Sequence, residues 1–167
     1  MTVGTRRILV KETTSLFELK PGVVEEPELS MFSAATVNQA AALLTMTAIL
    51  EYPKEELNAP IGLVIHMLGL IVRYLGIKLP FLIMQKGTRP YIRTIKGSIQ
   101  LWHSDRKMPL FLEDDDKNFK KFVNGMAMLN YNLAYLCYTQ NIKIPVSQTA
   151  NTLQSLMACC RASDLGM

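Results

Sequence analysis

At 167 residues the chain suits one domain, large enough to bury about 70% of its unfolded-state surface, so its size alone does not call for a disulfide or a metal. Apolar residues make up 49% and charged residues only 19%, which implies a surface partly covered by a partner. The apolar runs are broken by His66, Arg73, Asn130 or Asn132 before the roughly 20 residues of a bilayer span, and Met1 to Lys11 lacks the apolar core and cleavage site of a signal peptide; no transmembrane helix and a cytoplasmic location are expected.

The first element is a short amphipathic helix over residues 5–19, with Ile8, Leu9, Glu12, Leu16 and Leu19 at helical spacing and Pro21-Gly22 as its stop. Residues 20–30 hold two prolines and three acids, Glu25, Glu26 and Glu28, and read as a linker. Residues 31–50 are ambiguous: the alanines favour helix, while Thr36, Val37, Thr45, Thr47 and Ile49 favour strand.

A long helix is predicted from Pro53 to Leu75, its apolar stripe formed by Leu57, Ile61, Val64, Leu68, Ile71 and Leu75. A second line, Gly62, His66, Gly69 and Arg73, is small and polar, and close approach of another backbone is the simplest reason for its glycines. Residues 77–112 predict a small meander: Ile77 to Met84, a turn at Gly87 to Pro90, Tyr91 to Ile95, a turn at Lys96-Gly97, Ile99 to Trp102, and Leu110 to Leu112.

The second long helix follows Glu113-Asp114-Asp115-Asp116. These carboxylates suit the positive end of a helix dipole and lack the alternation, Gly and closing Glu of an EF-hand loop. Phe119, Phe122, Met126, Leu129, Leu133 and Leu136 form one stripe, and Met128, Tyr131, Tyr135 and Tyr138 a second, which predicts burial on two sides. A final helix is predicted from Ser147 to Cys160.

One pattern recurs sixty-five residues on: Gly76-Ile77-Lys78-Leu79-Pro80-Phe81 and Asn141-Ile142-Lys143-Ile144-Pro145-Val146. Each opens with a residue that readily takes the left-handed conformation closing a helix, and each ends at a Pro that prevents its resumption. The chain reads as a repeated helix-then-extended unit, with Lys78 and Lys143 facing solvent.

Chemistry is sparse. Only His66 and His103 are present, and no nucleophile motif, zinc-protease helix, phosphate loop or dinucleotide fingerprint occurs; neither an enzyme nor a cofactor is expected. Cys137, Cys159 and Cys160, odd in number and without CxxC spacing, read as buried thiols rather than a disulfide framework or metal site. Between Gln85 and Pro109, however, six cations face only Asp105, a net +5 that exceeds the whole chain's +4. Lys86, Arg89, Arg93, Lys96, Trp102, Arg106 and Lys107 are therefore candidate membrane-binding residues, Tyr91 and Trp102 supplying rings suited to an apolar–wet boundary. A solvated hairpin is the alternative. No nucleic-acid-binding signature accompanies the charge, and no nucleic-acid partner is expected.

Tyr52-Pro53, Leu57-Asn58-Ala59, His66-Met67-Leu68-Gly69-Leu70 and Tyr74-Leu75-Gly76-Ile77-Lys78-Leu79-Pro80-Phe81 resemble the C-terminal domain of the autophagy-specific, Barkor-type accessory subunit of class III phosphatidylinositol 3-kinase, in its fungal form. The resemblance continues through Gly87-Thr88-Arg89-Pro90-Tyr91-Ile92-Arg93, the segment from Ala127 to Gln140 and Pro145-Val146-Ser147-Gln148, about 120 residues in all, and Arg6 to Glu12 is similar to the hand-over from the family's coiled coil. The related UV-resistance-associated subunit of the endosomal complex shares the plan.

The resemblance implies an α+β fold of β-sheet/α-helix repeats as in Beclin, with strands in residues 31–50. Residues 1–19 would be an N-terminal helix and residues 20–167 a single domain. It further implies a non-catalytic targeting subunit, pairing with a Beclin-type subunit and the class III lipid kinase, peripheral on anionic autophagosome-precursor membranes. Tyr131, Tyr135 and Tyr138 are its candidate partner-binding residues; the alternative is a scaffold module without lipid contact. The family's cysteine-rich segment, long coiled coil and C-terminal membrane-sensing extension have no match in these residues.

Overall fold

The computed structural model describes residues 2–16, 54–85, 87–94, 107–113, 118–145, 151–162 and 165–166. The expected linker at 20–30, strands within 31–50, turn at Lys96-Gly97, strand from Ile99 to Trp102, acidic run Asp114 to Asp116 and cap Ser147 lie outside them. The described elements are helices α1 (Val3–Leu16) and α2 (Lys54–Leu75), strands β1 (Phe81–Met84), β2 (Tyr91–Thr94) and β3 (Met108–Pro109), and helices α3 (Phe119–Thr139) and α4 (Thr152–Cys160). The sheet is antiparallel in the order β1-β2-β3, and the fold is α+β.

α2 and α3 carry the core. Ile65, Met67, Leu68 and Ile71 of α2 meet Leu129, Leu133, Leu136 and Cys137 of α3 in one cluster, with Val10 from α1, Ile92 from β2 and Leu156 from α4. Within α2, Leu57–Leu75 reaches a mean hydropathy of 1.4 over 19 residues, long and apolar enough by composition to cross a membrane. His66 and Arg73 therefore do not interrupt it as the sequence suggests. Within the fold, 28% of that window is buried, on the face that carries Val64, Ile65, Met67, Leu68, Ile71 and Leu75.

Both helix exits use the same chemistry. Gly76 has φ of 71° and Asn141 of 58°, and the amides of Ile77 and Ile142 reach back five residues to the carbonyls of Val72 (3.0 Å) and Cys137 (2.9 Å). This is the Schellman closure, which puts the left-handed residue just past the last helical turn. Lys78 and Lys143 are exposed. After the first exit, Pro80, which has no N–H to donate to a ladder, precedes the strand, and β1 begins at Phe81.

Two buried-side asparagines connect the halves. Asn132 of α3 accepts from the Phe81 amide (3.0 Å) and donates to the Phe81 carbonyl (2.9 Å). Asn58 of α2 does the same for Leu112, at 2.8 and 2.9 Å. A carboxamide offers one acceptor and one donor side by side, so each Asn satisfies a backbone residue much as a neighbouring strand would. Each helix thus holds an extended residue adjoining the other.

Several expectations are corrected. α1 buries Val10 and Thr13, leaving Ile8 and Leu16 exposed; Thr13 can be buried because its hydroxyl donates to the Leu9 carbonyl at 2.8 Å. A Cβ on Gly62 or Gly69 meets nothing within 4 Å, so no backbone approaches them among the described residues. The close approach occurs at Gly125, where a Cβ falls 2.5 Å from the Pro109 carbonyl oxygen of β3. Among the described residues the last strand is Met108–Pro109 rather than Leu110 to Leu112: Leu110 still donates to the Pro90 carbonyl at 2.9 Å, but both backbone groups of Leu112 bond Asn58. α4 starts at Thr152, whose hydroxyl bonds the Asn130 carboxamide oxygen at 2.7 Å.

Candidate interaction surface

Strand alternation sorts the sheet into two faces. Phe81, Ile83, Ile92 and Met108 stand on the inner side, with Phe81 and Ile92 buried. Opposed pairs on the outer side are Leu82 with Arg93 and Met84 with Tyr91. Lys107, beside β3, is exposed and places its ammonium 5.2 Å from the Tyr91 ring centroid, a cation–π distance. This outer face mixes apolar side chains with cations.

Arg89 lies in the β1–β2 turn, which Gly87 permits with φ of 70°. Its guanidinium pairs with Glu113 at 2.8 Å, and with the arginine side chain 71% exposed the pair contributes under about 1 kcal/mol. Glu113 also accepts from the Asn118 side chain at 3.3 Å. Glu113 is thus engaged with Arg89 and Asn118, the first turn of α3 holds no acid, and Asn118 makes no side-chain cap bond. Of the seven candidate membrane residues, Arg93 and Lys107 are brought to this side of the sheet and Arg89 is held in the turn by Glu113, whereas Lys86, Lys96, Trp102 and Arg106 lie outside the described residues.

The tyrosine stripe of α3 faces outward. Tyr131, Tyr135 and Tyr138 are 52%, 37% and 77% exposed, while Met128 and the first stripe turn inward. Burial on two sides, expected from the sequence, is not what α3 shows: an aromatic stripe has the same periodicity whether it meets a core or a partner. Tyr131 packs edge-on to Phe81, ring centroids 5.5 Å apart at 66°, so the ladder adjoins the sheet. Between β1 and α2 an open groove of about 390 Å³ is lined by Ile65, Gly69, Val72, Leu79, Phe81 and Leu82, with Lys78 and Gln85 at its polar edge.

Neither feature assembles an acid, base and nucleophile. Among the described residues no group of three His, Cys, Asp or Glu could hold a metal, and His66 lies on the outward side of α2 while His103 is outside the description. Sequence reasoning missed Asn58, Asn132 and Gly125. A lone Asn within an apolar helical stripe was the available signal, since such a residue needs a partner when buried.

An α+β domain with its chemistry-bearing side chains on open faces has the character of an interaction module. The model of the family described as vacuolar sorting 38 and autophagy-related subunit 14 matches residues 1–162, and the chain belongs to that family. Its members are regulatory subunits of an autophagy-related phosphatidylinositol 3-kinase complex rather than the kinase itself. No curated protein and no solved structure matches the chain.

Proposed function

We propose that the chain is a non-catalytic targeting domain of an autophagy-specific class III phosphatidylinositol 3-kinase complex, which meets anionic membrane at autophagosome-forming sites through the outer face of the β1-β2-β3 sheet. The observation that carries this reading is the grouping of Arg93 and Lys107 with Leu82, Met84 and Tyr91 on one face, within the family context. Cations near an anionic surface contribute about 1 kcal/mol each, and the apolar neighbours suit the interfacial zone. Flotation with phosphatidylserine- and phosphatidylinositol-containing liposomes tests it. Arg93→Glu with Lys107→Glu is expected to abolish flotation without moving the unfolding midpoint, and unchanged flotation would exclude this face.

The exposed tyrosine ladder supports a second reading, a scaffold module that pairs with a Beclin-type subunit without touching lipid. Tyrosine contributes large contact area at low entropic cost and is enriched at interfaces. Under this reading Tyr135→Asp with Tyr138→Asp eliminates co-purification with that subunit while flotation is retained; co-purification at the unmodified level would set it aside. The endosomal, UV-resistance-associated role is separated from the autophagic one by which defect, vacuolar sorting or autophagosome formation, the chain restores in cells lacking each subunit.

A further inference from the structure

We propose that Cys137 and Cys159 are a peroxide-oxidisable thiol pair whose disulfide staples α4 to α3. Cys137 lies in the last turn of α3 and Cys159 near the end of α4, and both are fully buried in the same core cluster. The Cys137 thiol donates to the Ser155 carbonyl at 3.2 Å, one helical turn before Cys159. This bond seats its sulfur against the side of α4 that carries Cys159. The neighbouring Cys159 thiol lowers the Cys137 pKa, and the same contact together with burial pushes Cys159 up. Cys160 differs: burial raises its pKa and its thiol interacts with Thr14 of α1. The pair is therefore Cys137 and Cys159, the thiol one helical turn beyond the carbonyl that Cys137 bonds; Cys137 is oxidised first and Cys159 resolves it when α4 closes again.

The oxidant is a small hydroperoxide, admitted when α4 opens. At nine residues α4 is too short to be stable apart from its packing, and such elements open locally more readily than the core. The Cys137 thiolate attacks one peroxide oxygen, the O–O bond breaks, and the departing hydroxide takes the proton released by Cys137 to become water. The Cys137 sulfenic acid is then attacked by the Cys159 sulfur; its S–O bond breaks, and a second water leaves with the Cys159 proton. Two thiols and one hydrogen peroxide give one disulfide and two waters, each sulfur losing one electron.

The full chain is exposed to hydrogen peroxide without denaturant, remaining thiols are blocked, and peptides are identified by mass spectrometry. A Cys137–Cys159 cross-link is expected as the main oxidised species, unchanged in Cys160→Ser and accompanied by a raised unfolding midpoint. Cys159→Ser is expected to leave a Cys137 sulfenic acid that a dimedone probe captures. Cross-linking of Cys137 to Cys160 in preference to Cys159, further oxidation of Cys137 without cross-link in the unmodified chain, or no reaction while the urea-unfolded chain oxidises fully would each overturn the proposal.

Discussion

α2 and α3 are built to the same plan on their buried sides and to opposite plans on their outer sides. Each closes with a left-handed residue and a five-residue back-reaching bond, and each presents one Asn whose carboxamide holds both backbone groups of an extended residue, Leu112 for α2 and Phe81 for α3. Outside, α2 shows Gly62, His66, Gly69 and Arg73, and α3 shows Tyr131, Tyr135 and Tyr138. The shared inner chemistry makes the fold. The outer difference gives α3 a row of large rings, whereas the corresponding stripe of α2 alternates glycines with one imidazole and one guanidinium.

The largest test of that division removes the clamps. Asn132→Ala removes both carboxamide bonds to the Phe81 backbone in a fully buried site and is expected to cost about 3 kcal/mol, from the loss of two buried hydrogen bonds. Asn58 is only part-buried, so water can replace its side chain, and Asn58→Ala is expected to cost about 1 kcal/mol. Urea unfolding monitored by circular dichroism measures both. Equal losses would show that the two clamps are energetic equivalents despite their different burial, and the parallel between the helices would then extend to their stability.

How far this was legible in the sequence depends on the range over which each residue acts. Gly76 and Asn141 acted locally, through their own φ angles, and both exits were readable; so were the long apolar stripes of α2 and α3, which repeat for five or six turns. The α1 face is not legible, because Thr13 counts as polar in any periodicity although a hydroxyl bonded one turn back can be buried. The clamps span 51 and 54 residues, and nothing near Asn132 or Asn58 reveals its partner. The tyrosines are legible as a stripe but their exposure is not, since spacing identifies a face and not what lies against it. Gly125 was likewise invisible: its need for hydrogen comes from a strand carbonyl contributed by another element.

The smaller test uses the glycines, whose substitutions should change stability in opposite directions. Gly125→Ala drives a Cβ into the Pro109 carbonyl oxygen, where neither α3 nor β3 has a flexible side-chain end to yield, and is expected to destabilise by about 2 kcal/mol. Gly62→Ala and Gly69→Ala each place a methyl in open space within α2 and gain helix propensity, an expected stabilisation of about 1 kcal/mol apiece. Thermal midpoints of the three variants decide the matter. If Ala at 62 or 69 lowers the midpoint, the outer side of α2 is covered rather than open, and the contrast with the tyrosine face of α3 fails. If it raises the midpoint but weakens co-purification with the kinase complex, the small stripe is a contact surface in its own right, and both long helices, not α3 alone, face partners.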